Sequence, residues 1–245
     1  MNYKEMKQGI FKERPNRFIA YCEIEGQEEK VHVKNTGRCR ELLVPGVKVH
    51  LEYNDHPNRK TKYSLITVEK GEKLINIDSQ APNAVVEEAL KNGTLQLNGL
   101  KSPLVKIKRE QTYGHSRFDF YLETSDEKAY MEVKGVTLEQ QDYVMFPDAK
   151  TERGVKHVQE LIKAREAGYR AYILFVIQME DIRYFTPHVI RHPEFASALY
   201  DAYLKGVEIL AYTCKVTTDT LTLDQAVPVY LPDYEEIATI LQVQN

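Results

Sequence analysis

Ser116-Arg117-Phe118-Asp119-Phe120-Tyr121-Leu122, followed by Tyr130-Met131-Glu132-Val133-Lys134, is the stretch on which the fold turns. Alternate side chains of a strand share a face. Asp119 is therefore expected to project opposite to Phe118, Phe120 and Leu122, while Glu132 and Lys134 share a face opposite Met131 and Val133. Thr124-Ser125-Asp126-Glu127-Lys128 between the runs is a polar hairpin turn. Pairing through it brings two carboxylates and an ammonium to one side of a sheet. Asp119 and Glu132 are hard oxygen ligands of the kind Mg²⁺ or Mn²⁺ takes, and Lys134 is placed to contact a scissile phosphate or the attacking water. A third carboxylate, Glu88 or its neighbour Glu87, lies in the preceding helical segment. The competing reading is a solvent-exposed cross-strand ion pair.

Reading outward, Pro82-Asn83 before AVVEEALKNG marks a helix capped by Asn83 and closed by Asn92-Gly93. Strands are predicted at Leu104–Gln111, Arg117–Glu123 and Ala129–Val136. Thr151–Ala167 carries Val155, Val158, Leu161, Ile162 and Ala164 on one helical stripe and stops at Gly168. Tyr169–Ile177 is the apolar run of a strand buried on both faces. A helix at Pro193–Lys205 and a strand at Val207–Tyr212 follow. The order α-β-β-β-α-β from Pro82 to Ile177 resembles the core of the PD-(D/E)XK nuclease superfamily. The fold class is α/β (α+β).

Before Asp78 the texture differs. Gly9–Arg14, Arg17–Glu23, Glu29–Val33, Val47–Tyr53, Tyr63–Lys70 and Lys73–Asp78 read as short strands between turns, with one short helical insertion after Asn35-Thr36-Gly37-Arg38. That count predicts a small OB-like β-barrel over residues 1–80, with the nuclease-like domain over 81–245. Residues 1–80 hold 15 Lys and Arg against 12 Asp and Glu, whereas the remainder holds 18 against 24. The net charge of -3 thus hides a basic barrel able to attract phosphates. Arg14, Arg17, Asn35, Thr36, Arg38 and Arg40 are the candidate phosphate contacts there, with Phe18, Tyr21, Tyr53 and Tyr63 as candidate stacking surfaces. In the second domain Arg117 shares a strand face with Asp119. Arg153, His157 and Glu160 share a helix face, where Arg153 or His157 is suited to holding phosphate and Glu160 to an ion-pair ladder. Asp148 is read as a brace or cap for that helix, and His115 as a loop histidine near the strand entry.

Other function classes are excluded by what the sequence lacks. There is no P-loop, GxGxxG, HExxH, GxSxG or zinc pattern. Cys22, Cys39 and Cys214 are widely spaced and fit reduced thiols, and no window has the length of an apolar membrane span, so a cytoplasmic protein without a membrane partner is expected.

The runs PNRF, NTGRCRELLVPG, YGHSRFDF, MEVKGVTL, FPDAKTERGVKHVQEL, GYRAYILFVIQ and KGVEILAY, in this order, resemble the sugar fermentation stimulation protein A (SfsA) family over almost the whole chain. The resemblance implies an OB-type domain joined to a PD-(D/E)XK-like domain, DNA binding without strong sequence preference, and a link to the regulation of sugar use, maltose in particular. Its proposed nuclease residues fall on Asp119, Glu132 and Lys134, with Glu88 at the acidic position of the first helix. Three functions follow as expectations. The first is a Mg²⁺- or Mn²⁺-dependent DNA phosphodiesterase with metal ligands Glu88, Asp119 and Glu132. The second is a non-catalytic DNA-binding regulator, and the third an RNA- or nucleotide-processing metal enzyme. The oligomeric state is left open.

Overall fold

A computed structural model describes residues 1–35, 37–100 and 102–243. Six strands form the first unit: β1 (Met6–Glu13), β2 (Ile19–Ile24), β3 (Gln27–Val33), β4 (Lys48–Tyr53), β5 (Tyr63–Lys70) and β6 (Lys73–Asn76). Their order is β3-β2-β1-β4-β5-β6, and a further parallel pairing of β3 with β5 closes the first five into a barrel. Alternation does this work. Ala20, Cys22 and Ile24 of β2, and Val31 and Val33 of β3, are buried while their neighbours are not. This is the OB-like barrel expected from the sequence. The short helical insertion is instead a single turn, in which Leu42 and Leu43 donate to the Cys39 carbonyl. Pro45-Gly46 then ends it before a helix can propagate.

The second unit opens with α1 (Ala81–Asn92), continues through β7 (Lys106–Tyr113), β8 (Ser116–Glu123) and β9 (Lys128–Val136), and after β10 (Leu138–Gln140) and β11 (Tyr143–Phe146) enters α2 (Glu152–Glu166). Then come β12 (Arg170–Ile177), β13 (Tyr184–Pro187), α3 (Pro193–Leu204), β14 (Glu208–Val216), β15 (Leu221–Ala226) and α4 (Tyr234–Val243). The large sheet has the order β15-β14-β12-β9-β8-β7. β7, β8 and β9 are an antiparallel meander, whereas β12 runs parallel to both β9 and β14. Such parallel neighbours need crossover connections, which here run through α2 and α3. One face of the sheet packs Met131, Val133, Leu174 and Val176 against Val85, Val86 and Ala89 of α1. The other packs Ile173, Phe175 and Ile177 against Val158, Leu161 and Ala164 of α2. β12 is thereby buried on both faces, as its unbroken apolar run requires.

Three local expectations change. Asn83 does not cap α1; it is the third residue of the helix, and the turn before it is held by Asp78 Oδ1, which accepts from the Gln80 N–H at 2.9 Å. Gly93 does close α1, with φ of 75°. Thr151 is the N-cap of α2 and its hydroxyl accepts from the Gly154 N–H, so Asp148 is not the cap; it lies against Gly37 of the barrel loop, where a Cβ would meet its carboxylate. The small sheet β10-β11-β13, strand β15 and helix α4 are additions to the expected order.

The two units are tied by polar contacts. Gln178, just past β12, donates from Nε2 to Asn76 Oδ1 (2.9 Å) and to the Asp78 carbonyl (3.0 Å), and its own carbonyl accepts from the Asn76 N–H. Asp78, also buried, accepts from Tyr3 and Lys34. Lys70 and Lys73 of the barrel both reach Glu139 of β10. Met1–Tyr3 lie along the β14–β15 turn, with Asn2 bridged to Thr220 and the Tyr3 N–H donating to the Asp219 carbonyl.

Candidate metal and nucleic-acid site

The regular pairing of β8 with β9 ends at Phe120 opposite Met131. Just beyond, β8 departs from strict alternation: Phe118 packs in the α2-side cluster and Phe120 in the α1-side cluster. Phe118, Phe120 and Leu122 therefore do not share one face, contrary to the simple strand reading. Asp119 sits at the change. Its Oδ2 accepts from the Val133 N–H of β9 at 2.8 Å, a ladder bond that the strand itself does not make there. Its Oδ1 accepts from Asn83 Nδ2 of α1 at 2.8 Å.

β9 keeps its alternation, so Glu132 and Lys134 point to the α2 side. Glu132 is 3% exposed. Lys134 Nζ donates to its Oε1 at 2.5 Å, and Nδ1 of His157, from α2, is bonded to the same oxygen. Glu132 Oε2 is buried and has no hydrogen-bond partner among the described residues. A bare carboxylate oxygen in that setting is costly unless something cationic meets it. Burial opposes ionisation of Glu132, but the His157 bond and the Lys134 ammonium outweigh it and hold its pKa below the ordinary glutamate value. Asp119 moves the other way: burial, then the nearby Glu132 charge, raises its pKa above the ordinary 3.8 in spite of its two donors.

The residues fit a divalent cation in one specific sense. Asp119 and Glu132 are near enough to repel, one Glu132 oxygen is unpartnered, and each Asp119 oxygen accepts only one bond. Among the described residues no group of three His, Cys, Asp or Glu is placed to hold a metal. A cation here would rest on these two carboxylates and keep water elsewhere in its shell, the habit of Mg²⁺. Glu88 does not join them: it is over half exposed and pairs with the N-terminal ammonium at 2.5 Å. Glu87 pairs with Lys91 and Arg109. Asn83, one turn earlier, is the α1 residue that reaches Asp119. The sequence reading makes Asn83 a cap, whereas it lies inside α1 and reaches across to Asp119.

The raised Asp119 pKa has a consequence for the metal-free protein. Between 3.8 and the raised value the folded chain binds this proton more tightly than the unfolded chain, so stability falls as pH rises through that window. Asp119→Asn removes the repulsion. Without divalent cations its Tm relative to wild type is expected to rise as pH increases through the window, asparagine escaping the charge repulsion that the carboxylate gains there. Melting curves in chelator from pH 3 to 8 check this, and a constant difference across that range would contradict it.

The remaining candidates divide into exposed and occupied. Arg17, Arg38 and Arg40 are exposed around a groove of about 490 Å³ that Lys12, Asn16 and Gly37 also line, with Phe18, 55% exposed, beside it. Arg14 is not free to hold phosphate. Its guanidinium donates to the carbonyls of Arg17, Asn35, Gly37 and Arg38, knotting the two loops that carry the groove. Asn35 is likewise committed, accepting from the Gly37 N–H and donating to the Ile77 carbonyl. Thr36 lies outside the described residues. Arg117 pairs with Glu110 rather than with Asp119. His157, 5% exposed, is turned inward and does not face solvent phosphate, whereas Arg153 is exposed. Glu160 is no surface ladder; it is buried, pairs with Lys163 and accepts from the His115 N–H in the β7–β8 turn. His115 is exposed, and the rings of Tyr53 and Tyr63 pack against each other at a tilt, centres 5.3 Å apart. No described helix is long and apolar enough to cross a membrane.

A barrel followed by a mixed sheet with paired carboxylates on adjacent strands can be compared with known proteins. The sequence model described as the SfsA N-terminal OB domain matches residues 13–77, and that of the sugar fermentation stimulation protein RE domain matches residues 80–220. A sugar fermentation stimulation protein homolog of Desulfitobacterium hafniense strain DCB-2 is 54% identical over 231 residues, covering 94% of this chain and 99% of its own. Its counterpart in Ruminiclostridium cellulolyticum is 52% identical, covering 94% and 100%. The structure of Pyrococcus furiosus SfsA in complex with Ca²⁺ superposes with a TM-score of 0.84 at 29% identity, over 94% of this chain and 98% of that one. With both halves matched in order and the relatives covered nearly end to end, this chain belongs to the sugar fermentation stimulation protein family.

Proposed function

We propose that this chain binds DNA across its basic barrel and hydrolyses phosphodiester bonds at a divalent-cation site on Asp119 and Glu132. The observation that carries the reading is Glu132 Oε2, a buried carboxylate oxygen without a donor, beside a second carboxylate whose ionisation is opposed. The Ca²⁺ described with the Pyrococcus relative supports a cation preference in this family. Mg²⁺ or Mn²⁺ would supply Lewis acidity toward phosphate and water. The chain's own part is to hold Asp119 through Val133 and Asn83, to bury Glu132, and to keep the Lys134 ammonium within reach of negative charge developing on phosphate. Arg17, Arg38 and Arg40 would take phosphates of the same strand without reading bases, which accords with weak sequence preference. A cytoplasmic location is part of the same reading.

Calorimetric titration of metal-free protein with Mn²⁺ tests it. Saturable binding in wild type, lost in Asp119→Ala, is expected; no binding to wild type, with or without DNA, would remove the cation and with it the hydrolysis. One observation favours a second reading, a non-catalytic DNA-binding regulator: Lys134 already neutralises Glu132, and among the described residues no third acidic side chain completes the shell. Under either reading Arg17→Ala and Arg38→Ala are expected to weaken DNA binding uniformly across sequences. Each should also lower the slope of log K against log salt by about 1. Fluorescence anisotropy from 50 to 300 mM salt measures this, and unchanged slopes would place the DNA elsewhere.

A further inference from the structure

His157 is a buried nitrogen base to which the reaction proposed above gives no task. It comes from the middle of α2, its ring meets Phe118 edge-on at 6.3 Å between centres, and Nδ1 is bonded to Glu132 Oε1. On the outer side, Arg153 Nε donates to His157 Nε2 at 3.3 Å. A guanidinium only donates, so Nε2 faces it as the acceptor and the ring proton sits on Nδ1. The imidazole therefore reaches Glu132 as an N–H donor. Lys134 donates to the same oxygen at 2.5 Å. Two donors crowd onto Oε1 and none onto Oε2, although both oxygens belong to one buried carboxylate.

We infer that His157 is the positioning residue of the cation site, an inference that rests on the cation reading of Asp119 and Glu132. By fixing Oε1 together with Lys134, it sets the carboxylate rotation and presents Oε2 bare and pre-aimed. A carboxylate held by one flexible lysine alone would be free to swing or to pair through both oxygens. His157 touches neither cation nor substrate in this role; it acts through Glu132, as a hydrogen-bonded neighbour orients a metal ligand. Arg153 is the third link, exposed at the rim and fixing the tautomer from outside. A phosphate taken by Arg153 would thus be felt at Glu132 through one ring.

The spacing carries the same message. Glu132 Oε1 needs a rigid donor from the helix facing β9. An imidazole at position 157 lies four residues before Leu161 and seven before Ala164, on the buried stripe of α2. Asparagine at this position places its Nδ2–H near the site of Nδ1–H, whereas leucine fills similar space without a donor.

The test is Mn²⁺ titration by calorimetry on wild type, His157→Asn and His157→Leu, without nucleic acid. Leucine is expected to weaken Mn²⁺ binding by about 10- to 100-fold, and asparagine to restore it to within a few-fold of wild type. Should His157→Leu fail to fold, His157→Gln, whose longer amide carries its N–H past the Nδ1 position, replaces it with the same expectation. In metal-free wild type the imidazole ¹⁵N shifts should report a proton on Nδ1. Equal Mn²⁺ affinity in all variants, or a proton on Nε2, would overturn the inference while leaving the cation site standing. Absence of Mn²⁺ binding in wild type would overturn both.

Discussion

Lys134→Met is expected to lower DNA cleavage by about 10²- to 10³-fold, the usual loss when one pre-positioned donor to a transition-state anion is removed. Mn²⁺ affinity should be unchanged or tighter. Lys134 is only slightly exposed, and its ammonium sits 2.5 Å from Glu132 Oε1, where it competes electrostatically with a cation for the same carboxylate. Methionine keeps the unbranched stem and its packing while deleting the charge. Glu132 retains His157 as a donor, so the loss of one partner does not strand it completely. DNA affinity in chelator should stay within about two-fold, because the exposed arginines of the barrel lie on another unit and surface charge contributes mainly through phosphate neutralisation. This pattern separates the two functional readings. An enzyme loses turnover and keeps both ligands, whereas a binding protein shows no cation-dependent turnover in wild type to lose. Cleavage that survives Lys134→Met at the wild-type rate would remove Lys134 from the chemistry and leave it as a structural counter-ion.

Legibility in the sequence followed the length scale of each feature. The sequence marks β5 with its true ends, Tyr63 and Lys70, because a run holding Tyr63, Ile66, Thr67 and Val68 lies between clear turn signals. The lysine-bearing strand β9 kept its alternation to the end, which is why the placement of Glu132 with Lys134 holds. By contrast β10, β11 and β13 have three or four residues each, too few for a period to declare itself, and β11 pairs with β13 across about forty residues of sequence. Asp119 was found, but its surroundings were not. The strand leaves its ladder at that residue, and a backbone N–H and Asn83 take over. Such irregularities are set by tertiary packing, and a period-2 rule has no term for them. On α2 the apolar letters drew the stripe through Val155 and Ile162, which are only partly buried. The face truly buried runs through Gly154, His157, Leu161 and Ala164, with Glu160 beside it. A polar letter at His157 suggests a solvent-facing phosphate contact, whereas its spacing to Leu161 and Ala164 is the signal that it points inward. Arg14 shows a similar conflict. An arginine in a basic loop invites a phosphate, yet four backbone carbonyls of neighbouring loop residues were already in need of donors.

Gln178→Leu is expected to have the largest effect on stability. The side chain joins the barrel to the second unit from the end of β12, and leucine removes the donor that Asn76 Oδ1 and the Asp78 carbonyl share, leaving Asn76 Oδ1 with the Asp78 N–H and the Asp78 carbonyl with the Ala81 N–H. Each lost bond costs about 0.5–1.5 kcal/mol net, so a total of about 2 kcal/mol and a Tm lower by roughly 4–8 °C follow for a chain of this length. The neighbourhood offers no room to adjust. A Cβ on Gly135 would already lie 2.6 Å from Gln178 Oε1 and 2.9 Å from Pro82 Cγ. The backbone bonds from Asn76 to Gln178 and from Gln178 to Val136 remain, so the units stay connected but their mutual orientation loosens. Calorimetry should show the single transition broaden or split as the barrel melts apart from the mixed sheet. Limited proteolysis should open a new cut near Ser79, between Asp78 and the start of α1. The functional consequence distinguishes orientation from simple damage. DNA binding, carried by the barrel groove, should survive at temperatures well below the transition. Cleavage should fall by at least about ten-fold, because a strand held on one unit must meet carboxylates held on the other, and small misplacements are costly in rate. If Tm and cleavage both stay at wild-type values, the Gln178 side chain is a spectator, and the alignment of barrel and site rests on the other ties, the Lys70, Lys73 and Glu139 cluster and the backbone bonds of Asn76 and Tyr3 among them.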